Sequence, residues 1–226
     1  MTFPNASTGV KKIFTAQILR ILSTVFLIVG AVSTLVTAAL IAAENSEIEG
    51  PSVGLAVISV IFLVIGGVLA IIAFLMNIIG LRQAGTDEES LHMAFIVSIF
   101  ALVISFVSTL FDLLKVGGGI ADNIAEAVGF VCEIFVIISV IRGITNLADQ
   151  LHNEKVASLG DKLSNVILVI LILALIANTV PIFLGADQNV LTSATILEMV
   201  SLVLTAVGYV IYLVFLGKAS NMLRTS

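Results

Sequence analysis

The chain has 226 residues, of which 59% are hydrophobic and only 11% charged, against roughly 45–50% apolar and about 25% charged in an ordinary globular domain. A soluble protein of this length has too little interior to hide that much apolar surface, so the excess must face lipid. The net charge of -5 says little by itself, but the clustered Lys and Arg that a nucleic-acid partner needs are absent, and a single cysteine, Cys132, excludes an intramolecular disulfide or a cysteine-based metal cluster.

Residues 1–9 are mostly polar and are expected to be loose. Asn5-Ala6-Ser7 fits a glycosylation sequon, but a cytosolic N-terminus would leave it unmodified. Residues 11–20 read as an amphipathic lead-in lying at the membrane surface and running into the first span. The apolar run 21–43 is longer than the roughly 7–15 residues of a signal-peptide core, so it reads as a retained helix. Further apolar runs cover 53–79, 91–114, 124–141, 163–184 and 195–216. Each approaches the ~20 residues that cross a ~30 Å hydrocarbon layer. Lipid offers backbone groups no partner, so such runs must be helices; the alternation of a barrel strand is not visible.

The expected fold is therefore all-α: a polytopic membrane protein with six transmembrane helices in a single domain over 1–226. The helices are expected as three tandem helical hairpins, a pseudo-threefold repeat over 11–85, 89–150 and 161–226. The hairpin 91–143 turns through Gly117-Gly118-Gly119, and a second copy lies 72 residues further on. In that register Ile124-Ala125-Glu126-Ala127-Val128 falls on Ile196-Leu197-Glu198-Met199-Val200. The returning helices of the first two hairpins end alike, at Gly80-Leu81-Arg82 and Gly143-Ile144-Thr145. Repeats in one orientation imply a pseudo-symmetry axis along the membrane normal.

Basic residues set the orientation. Lys11, Lys12, Arg20, Arg82, Arg142, Lys155, Lys162, Lys218 and Arg224 fall on one side and only Lys115 on the other. The positive-inside rule then puts both termini in the cytosol, and the tiny loops suggest a bacterial plasma membrane. The connection 145–161 is the longest inside segment, where the fourth helix is expected to continue as an amphipathic surface helix.

Four residues are candidates for a pathway: Glu133, Glu126, Glu198 and Asn178. Glu133 lies nine residues before Arg142, roughly 14 Å along a helix and so near the midplane of a ~30 Å core. A charged carboxylate there costs at least ~2.5 kcal/mol, and such residues face the interior and mark ion or proton pathways. The bland alternative is a structural Glu bonded to Ser98, Ser105 or Thr205 on a neighbouring helix. Glu126 and Glu198 occupy equivalent repeat positions toward the outer face. Either they form an acidic vestibule with Lys115 within reach, or they are an interfacial ring solvated like the other outer acids, Asp112, Asp122 and Asp187. Asn178 accompanies Pro181, which removes a backbone donor and frees a carbonyl.

Small residues spaced by four, Gly30, Thr34, Ala38 and Ala42, in the first span, and Gly66, Ala70 and Ala73, spaced by four and three, in the second, suggest close helix packing. Tyr209 and Tyr212 read as interface anchors of the last span. Glu89-Ser90-Leu91-His92 and Asp149-Gln150-Leu151-His152 place an acid and a histidine on one helix face. A di-metal bundle site needs further inward carboxylates, so solvated histidines are the simpler reading. No phosphate-binding or nucleophile-elbow motif is present, and neither enzymatic activity, a cofactor nor a metal is expected.

The function expected is a small transport or permeation protein for an ion or small solute, with a midplane carboxylate. The alternative is a non-catalytic membrane scaffold or accessory subunit. The partners expected are the lipid bilayer and either a second copy of the chain or another membrane protein.

Overall fold

Apolar runs that leave backbone N–H and C=O groups to find their own partners favour helix over any open sheet, and the computed structural model is all-helical among its described residues. These are 3–43, 49–114, 118–184 and 188–225, with side chains described over 3–39, 54–107, 109, 125, 127–177, 197 and 199–225. The elements are α1 (Pro4–Ala43), α2 (Glu49–Ala84), α3 (Glu89–Leu114), α4 (Gly118–Gln150), α5 (Glu154–Leu184) and α6 (Gln188–Thr225). All six are long and apolar enough to cross a membrane.

Two expectations are corrected and one is sharpened. Residues 4–9 are not loose: α1 begins at Pro4, a residue whose missing N–H would have had no partner in a first turn. The stretch 11–20 runs into the first span without a break, as part of one 40-residue helix. Its Ile13, Ala16 and Gln17 are buried, which ties that face to protein. The connection 145–161 shrinks to residues 151–153, because the buried Ile144, Leu147 and Ala148 keep helical spacing to the end of α4 and Val156, Ala157 and Gly160 resume it in α5. The short link is built from two caps. His152 takes a left-handed conformation, φ 54°. The Asn153 and His152 amides donate back to the Ala148 and Asp149 carbonyls, at 2.8 and 3.0 Å, which is a Schellman ending. Asn153 Oδ1 then accepts the Val156 amide at 3.2 Å, opening α5 as its N-cap.

The chain divides into two compact units, Lys12–Ile79 and the remainder, Met1–Lys11 with Gly80–Ser226. In the first, α1 and α2 run antiparallel and meet through small residues. Ser23 Oγ donates to the Gly66 carbonyl at 2.8 Å. Leu27 lies over Gly66 and Leu63 over Gly30, so that a Cβ on either glycine would stand 2.8 Å from the leucine. The Phe26 and Phe62 rings are 5.6 Å apart. Buried positions recur every seven residues, Ala16, Ser23, Gly30 and Thr37 on α1 and Ser59, Gly66 and Ala73 on α2. That is the period of a left-handed helix pair. It replaces the four-residue stripe expected on the first span, whose Thr34 and Ala38 are exposed; the side chain of Ala42 lies outside the described residues.

In the second unit α3 packs on α4, α4 on α5 and α5 on α6. Its largest fully buried side chains are Leu81, Leu91, Val140, Ile141, Ile144, Leu147, Ile167, Phe215 and Leu216. Tyr212, expected at an interface, is 2% exposed and part of this core. Backbones approach closely where glycine permits: Gly9 lies against Gly80 and Ala84, Gly143 against Leu91, and Gly160 against Thr145 and Phe215.

Candidate functional site

The spacing 130, 133, 134, 137 puts Phe130, Glu133, Ile134 and Ile137 on one face of α4. That face meets Leu171 of α5 and Thr205 and Tyr209 of α6, and together these residues line a small pocket. Thr205 and Tyr209, four apart, lie one above the other on α6. The pocket's interior volume is about 20 Å³, room for one water molecule. Glu133 is half-buried in walls that are otherwise hydrocarbon and aromatic. The site thus offers a carboxyl, an aliphatic hydroxyl and a phenol around one water-sized space. That combination can bind and pass hydrogen-bonded protons, or hold three helices together.

Of the three hydroxyls expected near Glu133, only Thr205 shares its pocket. Ser98 donates to the Ala94 carbonyl of its own helix at 2.8 Å, and Ser105 is exposed. Cys132 is buried and free and does not line the pocket. Tyr209, expected as an interface anchor, lines the pocket beside Glu133, a neighbourhood that sequence reasoning missed. The signal was available: Tyr209 precedes Lys218 by the same nine residues that separate Glu133 from Arg142. The other three pathway candidates, Glu126 on α4, Glu198 on α6 and Asn178 on α5, have side chains outside the described residues, as do Asp112, Asp122 and Pro181; Lys115 and Asp187 lie outside them altogether.

A second polar cluster occupies the links of the larger unit. Asp87 accepts the Ala6 amide at 2.7 Å through Oδ2 and Asn5 Nδ2 at 3.0 Å through Oδ1. A carboxylate from the α2–α3 link thereby caps the positive end of α1. The sequon asparagine is the donor in one of these bonds. Glu88 does the same for α3, accepting the Leu91 amide at 3.1 Å, and also accepts Asn146 Nδ2 of α4 at 2.8 Å.

The two acid–histidine pairs do not form a site. Glu89, His92, Asp149 and His152 are all exposed, and His152 serves as the left-handed ending of α4. Among the described residues no group of three or more His, Cys, Asp or Glu side chains could hold a metal ion.

Compared with known proteins, the chain matches no family model, no curated protein and no solved structure.

Proposed function

We propose that the chain is a multi-pass integral membrane protein acting as a small transport or permeation protein for an ion or small solute, with Glu133 as the midplane carboxylate of its pathway. The observation that carries the reading is the pocket that puts Glu133 with Thr205 and Tyr209 between α4, α5 and α6, in a chain with six helices long and apolar enough to cross a membrane. A carboxyl placed in a hydrocarbon layer costs too much to keep without a role or a partner. The helices also support the orientation: α1 at 40 residues extends about 60 Å, twice the hydrocarbon thickness. The excess carries Lys11 and Lys12. Both termini are cytosolic in this reading, in a bacterial plasma membrane. The neighbouring of α3 with α4 and of α5 with α6 is what two tandem hairpins of a threefold repeat require. Glu126, Glu198 and Asn178 would continue the pathway toward the outer face.

A scaffold or accessory subunit is the second reading, favoured by one observation. The apolar windows of the first three helices are only 17%, 11% and 11% buried, leaving broad faces for lipid, a second copy or a partner membrane protein. Purified protein in lipid vesicles separates the two. Glu133→Gln that still folds should abolish solute or ion flux if the carboxyl lines a pathway. Unchanged flux together with altered thermal stability would leave Glu133 as helix packing and favour the scaffold.

A further inference from the structure

Resting on the permeation reading above, we infer that the cargo is the proton, and that Glu133, Thr205 and Tyr209 form the relay that carries it past α4, α5 and α6. Three features of the pocket select the proton over other solutes. The first is size: an interior of about 20 Å³ holds one water, whereas sites for organic solutes run to roughly 300–1,000 Å³. The second is ligand supply. A calcium ion takes 6–8 oxygens at about 2.3–2.6 Å, and magnesium demands a near-ideal octahedron. The lining supplies two carboxyl oxygens and two hydroxyls, and every other lining residue is Phe, Ile or Leu. The third is the kind of oxygen present. Hydroxyls of Thr and Tyr donate one hydrogen bond while accepting another, and a carboxyl exchanges its donor and acceptor oxygens when it gains or loses a proton. Donor–acceptor pairs of this kind pass a proton without moving a heavy atom far.

The step balances with no co-reactant. Glu133 takes a proton from a water or hydroxyl on one side, forming one O–H bond as the donor's O–H breaks. It then gives a proton to an acceptor on the other side, returning to its starting form. Each hydroxyl in line gives up its own proton as it receives the next. The driving force is the proton gradient or the membrane potential, and no redox change or leaving group is involved. All three groups line the same water-sized pocket.

Vesicles of mixed zwitterionic and anionic phospholipid, loaded with a pH-sensitive dye and polarised by a potassium gradient with valinomycin, test this with protons as the probe. Wild-type protein should acidify or alkalinise the lumen several-fold faster than protein-free vesicles, with no other permeant cation added. Glu133→Gln should return the rate to the protein-free level, and Tyr209→Phe should slow it roughly threefold to tenfold, as expected for one lost hydrogen bond. Tyr209→Phe keeps the ring, so if Glu133→Gln does not fold, an unchanged proton rate in Tyr209→Phe overturns the relay. Glu133-dependent flux of sodium, calcium or glycerol without proton flux overturns the proton as cargo while leaving the permeation reading intact. No Glu133-dependent flux of any of these overturns both.

Discussion

The α1–α2 seam of residues 12–79 and the core of the larger unit start from the same kind of sequence and solve the packing problem differently. In the seam, small residues every seven positions let one leucine from each helix lie over the other's glycine, Leu27 on Gly66 and Leu63 on Gly30. Those leucines remain 36% and 37% exposed. In the larger unit, the fully buried Phe215 and Leu91 close over Gly160 and Gly143, and carboxylates cap the helices that converge there. The difference is one of freedom. A half-exposed leucine can swing away from an intruding methyl, while a fully buried phenylalanine or an engaged threonine cannot.

Gly160→Ala should therefore cost more than a methyl inserted into the α1–α2 seam. Its Cβ would run into Thr145, whose hydroxyl already donates to the Ile141 carbonyl at 2.9 Å, and would meet the Phe215 ring at 3.3 Å. An overpacking cost of about 2–3 kcal/mol is expected, read as a lowered unfolding midpoint in detergent. Next comes Asp87→Ala, which leaves the first turn of α1 without its cap. About 1–2 kcal/mol should be lost, and the amides of residues 5–8 should exchange with solvent faster than those of the α3 start. Protection that stays unchanged there would show that Asp87 does not hold α1. Smallest is Gly30→Ala, at less than about 1 kcal/mol. Pairing it with Leu63→Ala should recover part of the loss in a double-mutant cycle. Equal costs for Gly30→Ala and Gly160→Ala would erase the distinction between the two regions.

Much of this architecture was legible in the sequence, and the failures have physical causes. The six spans follow from apolar length alone, and Glu133 with Thr205 follows from counting residues from the basic helix ends. The same count puts Tyr209 level with Glu133, although tyrosine is usually found at membrane interfaces. The continuation of the fourth helix past 145 is legible, but the connection reads as longer than it is because Asn146, Asp149, Gln150, Asn153 and Glu154 are polar. The structure puts those residues outward or in caps, while Leu147, Ala148, Val156 and Ala157 turn inward. The small-residue period was misread because Gly30, Thr34 and Ala38 catch the eye as a set of four-residue steps. The true seam mixes Ala, Ser, Gly and Thr at seven. The long-range bonds of Asp87 and Glu88 give no local signal, since their partners Ala6 and Asn146 lie 81 and 58 residues away.

Every functional statement depends on an even number of crossings with the basic links on the inner side. Cleavable tags placed on both ends of the chain, with protease added to intact cells and then to opened ones, test that directly. Six crossings predict that both tags survive outside attack and are lost together once the membrane is opened. Loss of one tag alone from intact cells, or recovery of the chain as a water-soluble monomer without detergent, would contradict it.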